Sequence, residues 1–338
     1  MYRDECDRLL VNTQHYKRLY RDPTSDIQDE ISFLVPKGME NDWLTQHEAA
    51  FLVQVNPRIP YFYILPKVHK GKIPPPGRAI VSGIGSVLEP LSQFVDFFLQ
   101  PLVKKIPTYL KDTTDVLVLL DSVSFDKTKE LLITLDVESL YTNIPQEVTL
   151  EVISNLLEAK RGELRTPPDF ILDLAHLALT RNYFKFEDSF FLQIQGTSMG
   201  STFAPSLACL YVDNFERQVV VHDDNMFLQQ IKLWKRYIDD ILLVWTGTRK
   251  EALTFSNWLN AANPFLNFTM TIGDNRLPFL DLLIYENDGA LATESEAAGN
   301  YVSQRPGRPR GFWAPRDGRK LSAPATPDIL PLRAGALA

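Results

Sequence analysis

Cysteine is almost missing from this chain: Cys6 and Cys209 are the only two, and neither has a CxxC or CxxxC partner. That scarcity excludes a disulfide framework and a cysteine metal site, and it fits a reducing, intracellular setting. Long apolar runs are missing too. No stretch nears the eighteen residues that a membrane span needs, and the opening "MYRDECDRLLVNTQHYKRLYRDP" is charged throughout, with no apolar signal core. The expectation is a soluble protein with no membrane partner and no secretory route. The five histidines form no ligand-spaced set, which weakens a metal-dependent hydrolase reading, and no internal repeat is visible. Nothing in the pattern specifies an oligomeric state.

What is present is an ordinary globular composition with 45% hydrophobic residues and an excess of acid, net charge -7 and pI near 5.4. Taken as a sum, that excess argues against a nucleic-acid binder, because phosphate contacts come from Lys and Arg. Distribution reverses the inference. "RIPYFYILPKVHKGKIPPPGRAIVSG", residues 58–83, holds Arg58, Lys67, Lys70, Lys72 and Arg78 without a single acid, interleaved with Tyr61, Phe62 and Tyr63.

Periodicity predicts alternating helices and strands. Residues 24–53 read as mainly helical, "YFYIL" as a short strand, and 87–103 as a helix with Val87, Leu91, Phe94, Val95, Phe98 and Leu102 on its apolar face. "ELLITLD" is a strand ending at Asp136, and Pro145 opens a further helix. A strand over 182–193 precedes the glycine-marked turn "QGTSMGSTFAP", followed by the helical "SLACLYVDNFERQVV", the apolar "RYIDDILLVW", a helix near 251–259, and strands at "NFTMTIG" and "LPFLDLLIYE". This order predicts an α+β fold with a small antiparallel sheet packed on helices.

The adjacent Asp239 and Asp240 repel each other unless a cation lies between them and other ligands. Two-metal phosphoryl transfer needs carboxylates that hold ions roughly 3.5 to 4 Å apart, and aspartates at strand ends give the hard-oxygen ligands that Mg²⁺ prefers. Asp136, at the end of its own strand, is the natural third member if the two strands are neighbours.

"LLITLDVESLYTNIP", "QGTSMGSTFAP" and "RYIDDILLVW", in this order, resemble palm motifs A, B and C of reverse transcriptases. With "FYILPKVHK", "PPGRAIVSGIGSVLEPLSQFVD", "KDTTDVL" and "LPFLDLLI", the chain looks like the reverse transcriptase of Penelope-like retroelements, a family similar to telomerase reverse transcriptase. The resemblance covers about 2–293. It implies right-hand polymerase fingers and palm: an N-terminal helical extension over 1–56, fingers over 57–130, and a palm over 131–293. It further implies an RNA or DNA template with primer, dNTP as substrate, two Mg²⁺ or Mn²⁺ ions, and a nuclear location. The rival expectation is a non-catalytic nucleic-acid-binding remnant of a retroelement.

Carried over residue by residue, the resemblance makes Asp136 and Asp239 the metal ligands, with the Val137 carbonyl completing the shell and Asp240 either a second ligand or an electrostatic support. Tyr141 matches the aromatic gate against a ribose 2′-hydroxyl. Gln195 lies against the incoming nucleotide and Gly196 allows close approach of the template. Lys67 and Arg78 match the residues that neutralise the triphosphate, with Lys70 or Lys72 as substitutes for Lys67. Ala79 replaces a proline of the family pattern. Motif D offers Arg276 where a lysine is usual, leaving water or Lys250 to protonate pyrophosphate. Where the family continues into a helical thumb and commonly a GIY-YIG endonuclease, this chain changes to "ESEAAGNYVSQRPGRPR", so the expectation is a thumb largely missing and an unstructured divergent tail over 294–338.

Overall fold

The computed structural model describes residues 2–67, 73–274 and 276–295. In chain order the elements are helix α1 (Tyr2–Leu10), strand β1 (Tyr16–Leu19), α2 (Thr24–Glu40), α3 (Gln46–Leu52), β2 (Tyr61–Pro66), β3 (Gly77–Ser82), α4 (Glu89–Val103) and α5 (Thr113–Asp121). Next come β4 (Glu130–Val137), the single turn α6 (Leu140–Asn143), α7 (Gln146–Glu158), α8 (Pro168–Thr180), β5 (Tyr183–Phe186), β6 (Ser189–Gln193) and α9 (Ala204–Phe215), which runs into a π-helical turn at Glu216–Val220. Then follow β7 (Ile231–Tyr237), β8 (Asp240–Thr246), α10 (Arg249–Ala261), β9 (Phe268–Ile272), β10 (Arg276–Phe279), β11 (Leu282–Asn287) and β12 (Ala290–Ser295).

The fold is α+β, as expected, with three sheets rather than one. The central sheet is fully antiparallel in the order β7-β8-β4-β9, and β8 is buried from Asp240 to Trp245 because both of its faces are covered. Side-chain alternation divides it. Ile241, Leu243 and Trp245, with Ile133, Leu135 and Val137 of β4, pack against α9 and α10. Leu242, Val244 and Leu132 pack on the opposite side against α5 and the three-stranded sheet β10-β11-β12. A separate helical core joins α2, α3, α4, α7, α8 and α9 around Leu91, Leu99, Ile171 and Leu174.

The five-stranded sheet has the order β1-β6-β5-β2-β3. The N-terminal segment, read as helical, thus contributes an edge strand as well: Tyr16 to Leu19 pairs with Gln193 to Phe190. Two expected single strands are hairpins instead. Residues 182–193 turn at Glu187, φ 51°, and 276–287 turn at Leu280, φ 53°. Neither turn carries the glycine that usually marks a left-handed position. Lys70, Lys72 and 296–338 lie outside the described residues. Among the described residues no helix is long and apolar enough to cross a membrane.

Candidate active site

The order β8-β4 makes the two acidic strands neighbours. Asp136 is directly opposite Asp240, and the Val137 amide donates to the Asp239 carbonyl at 2.9 Å. A bond from the residue after Asp136 to the residue before Asp240 marks these two as a non-hydrogen-bonded pair, the narrow kind with Cα atoms about 4.5 Å apart. Like charges directly opposite each other destabilise a ladder. Asp240 is 5% exposed and Asp136 half-buried, so water screens the pair only in part. By alternation both continue the even-numbered face that holds Leu132 and Leu242, away from α9 and α10. The Val137 amide thus faces the β7–β8 turn.

Asp239 occupies the two-residue turn joining β7 to β8, between the paired Tyr237 and Asp240. Its neighbour Ile238 has φ 52°, a left-handed conformation that a β-branched side chain rarely adopts. Glu138 lies two residues beyond Asp136 and accepts from Asn267 Nδ2 at 2.8 Å and Thr269 Oγ1 at 2.6 Å. The sequence reading passed over it, since the partners come from β9 and the preceding loop. Among the described residues no three His, Cys, Asp or Glu side chains are gathered closely enough to hold a metal ion by themselves, Asp136, Asp239 and Asp240 included.

A second cluster gathers on α6. Tyr141 is half-buried against the core between the central sheet and α9 and α10, and its carbonyl accepts from Thr197 N at 2.7 Å. Gln195 Nε2 donates to the Asn143 carbonyl at 2.8 Å, closing the C-terminal end of α6. Gly196, φ 73°, is required here: a Cβ would sit 2.6 Å from the Thr142 carbonyl oxygen, a backbone atom that cannot swing aside. Gln146 Nε2 holds the Gly196 carbonyl at 2.9 Å. Tyr141, Gln195 and Gly196 therefore form one unit, directly after β4 and its Asp136.

Lys67 and Arg78 belong to the β2–β3 pair. Lys67 N donates to Pro76 O at 2.8 Å, and Arg78 is opposite Leu65. Tyr61, Tyr63 and Leu65 share a sheet face with Arg78, and the parallel register of Tyr61 with Lys185 adds a second cation to it. Tyr61 is 59% exposed, while the opposite face, with Phe62 and Val81, is buried under α1. Among the described residues Arg78 forms no ion pair, whereas Arg276 is committed to Glu294 at 2.9 Å and to the Tyr285 ring at 5.1 Å.

No family profile and no curated protein matches the sequence. Solved structures do resemble it. A telomerase from Candida tropicalis, truncated from its C-terminal domain, aligns over 71% of this chain and 56% of its own length, with TM-score 0.50 and 14% identity. The same organism's telomerase in complex with a TWJ fragment of telomeric RNA aligns over 73% and 46%, with TM-score 0.52 and 13% identity. The fold is reverse-transcriptase-like. A more distant likeness is the BmCPV RNA-dependent RNA polymerase at its elongation state, covering 84% of this chain and 26% of that one, with TM-score 0.48 and 11% identity. This chain spans about half the length of the telomerases it resembles.

Proposed function

We propose that this chain is the polymerase core of a Penelope-like reverse transcriptase. It extends a primer 3′ end with dNTP on an RNA or DNA template, releases pyrophosphate, and acts in the nucleus. The observation that carries this reading is the narrow Asp136–Asp240 pair with Asp239 beside it, at the strand ends of a reverse-transcriptase-like fold. Repulsion of that kind is useful only where a cation joins the site.

Asp136, Asp239 and the Val137 carbonyl would hold two Mg²⁺ or Mn²⁺ ions, with Asp240 as a further ligand or an electrostatic support. The donor set fits: all are hard oxygens, and Mg²⁺ is commonly held by one or two carboxylates together with substrate phosphates. When bound, the ions supply charge stabilisation at the attacking and leaving oxygens. The protein's own residues do the rest. Lys67 and Arg78 bind the triphosphate, Arg78 through a planar guanidinium suited to two phosphate oxygens. The Tyr141 ring excludes a 2′-hydroxyl. Gln195 fixes the end of α6 that carries the gate and lies against the incoming nucleotide. Arg276, tied to Glu294, is a poor proton donor, which leaves water or Lys250 for pyrophosphate.

Primer extension on RNA and DNA templates tests the reading, with Asp239→Ala as control. Mg²⁺-dependent dNTP incorporation that disappears in the variant is expected. Incorporation that survives removal of Asp239 refutes its role, and a folded wild-type chain that binds nucleic acid without incorporating dNTP leaves the binding remnant as the correct description.

A further inference from the structure

Directly beneath the aspartate turn is a charged group that no polymerase step uses. Arg236 is 0% exposed and Glu216 is 1% exposed, and they meet with Arg236 Nε donating to Glu216 Oε1 at 2.7 Å and Nη2 to Oε2 at 3.2 Å. Glu216 also accepts from Trp234 Nε1 at 2.8 Å and Thr108 Oγ1 at 2.6 Å. The guanidinium reaches two carbonyls as well. Nη2 donates to Cys209 O at 3.2 Å, and Nη1 donates to Ile238 O at 3.0 Å. Even the Arg236 peptide is engaged, with its amide on Thr108 O at 2.7 Å and its carbonyl receiving Leu110 N at 2.8 Å.

The last of the side-chain bonds is the informative one. Ile238 immediately precedes Asp239 and holds a left-handed backbone that β-branched residues avoid. Such a conformation persists only where its surroundings over-determine it. Here the Ile238 side chain packs against both the helical and the palm cores, while Arg236 grips its carbonyl. Glu216 belongs to the π-helical turn after α9, so the grip ties the aspartate turn to the helix that follows motif B. A buried ion pair is rarely a net stabiliser against apolar residues of equal volume, although breaking one half of it is costly. Its presence here calls for a role other than stability.

The geometry points to Arg236 as a positioning residue: anchored by Glu216, it fixes the Ile238 turn and thereby sets where Asp239 presents its carboxylate to a divalent cation. This inference rests on the polymerase reading. The guanidinium does not touch substrate; it acts through the backbone of Ile238. Its planar fork suits the role, since Nε faces the carboxylate while Nη1 faces the carbonyl, a span that one ammonium cannot cover.

The test uses the full chain and two readouts, Mn²⁺ affinity by titration calorimetry and steady-state primer extension. Arg236→Met/Glu216→Leu removes both charges together, so that neither is left buried alone. Losing a partner that orients a metal ligand typically costs about 10- to 100-fold in metal affinity or activity. The double variant is therefore expected to melt as a folded protein, bind Mn²⁺ at least about tenfold more weakly, and lose kcat with dNTP KM unchanged. Adding Ile238→Gly should restore part of both readouts, because glycine adopts φ 52° without the grip. If the double variant fails to fold, Arg236→Lys decides: it keeps the charge on Glu216 but leaves Ile238 O unheld, and the same losses are expected. Wild-type Mn²⁺ affinity and kcat in either folded variant overturn the inference alone. A wild-type chain that neither binds Mn²⁺ nor extends primers overturns both it and the polymerase reading.

Discussion

Replacing Asp136 by asparagine should make the metal-free protein more stable while abolishing its response to Mg²⁺. Two carboxylates about 5 Å apart repel by about 3 kcal/mol at an effective dielectric near 20. Asp136 is half-buried rather than enclosed, so solvent reduces the net effect to about 1 kcal/mol, the upper end of measured cross-strand charge pairs. In EDTA the variant should therefore melt about 2 °C above wild type. Wild type should in turn gain stability with Mg²⁺, by about 2.7 kcal/mol at a hundredfold excess over Kd, and the variant should gain almost none. Calorimetric melting with and without Mg²⁺, alongside primer extension, measures all three quantities. A variant that melts below wild type in EDTA, or that keeps the Mg²⁺ gain, refutes the proposal that this pair takes up a cation.

Gly196→Ala should cost about 1–2 kcal/mol from the left-handed backbone alone, and more because the new Cβ pushes on the Thr142 carbonyl. Displacement of Tyr141 should then lower extension by about 100-fold, whereas an unchanged urea midpoint would show that the turn has room. Tyr141→Ala should raise rNTP incorporation far more than it alters dNTP incorporation; equal effects on the two sugars would leave Tyr141 a packing residue only. Arg8 and the Gly77 amide hold Glu5 at a pKa of about 2, below its usual 4.5. That contribution is complete above pH 4.5 and is lost as pH falls toward 2, so Glu5→Gln should flatten the acid limb of the stability profile between those values and leave neutral pH little changed. On the exposed sheet face, Arg78→Ala should reduce the salt slope of template binding by about 1. Tyr61→Ala should instead weaken single-strand binding by about 1–3 kcal/mol at an unaltered slope, and a slope change for Tyr61→Ala would contradict the stacking role.

The strands and helices with a strong period were legible in the sequence. "ILLVW" reads as an apolar strand, which is β8, and residues 87–103 contain the helix α4 that begins at Glu89. The two missed hairpins share a physical cause. Glu187 and Leu280 occupy left-handed positions where composition gives no turn signal, and only the pairing of Lys185 with Phe190 and of Phe279 with Leu282 makes those turns worthwhile. The acidic residues were legible as candidates, yet their register was not. Whether Asp136 meets Asp240 or a residue one step away depends on how β4 slides along β8, and a single-residue slip would send one carboxylate to the opposite face. Arg236 gave no signal at all. Its partner Glu216 is twenty positions earlier, on a π turn that a plain helical reading of "NFERQVV" does not reveal.

The placement of charge on the central sheet explains why its aspartates are at the strand ends. Both faces of β4 and β8 are covered along their apolar lengths, so a lone carboxylate in mid-strand would be buried without compensation. One charged pair is nevertheless kept inside, and it is tolerated because Glu216 receives four hydrogen bonds, two from Arg236 and one each from Trp234 and Thr108. Arg236 thus spends its charge on Glu216. With Glu216 on one side and the neutral Ile238 carbonyl on the other, Arg236 holds the turn in place. Rigidity thereby comes from the Arg236 grip and negative charge from the aspartates of the same hairpin, which is the arrangement that the proposed cation site at this turn would require.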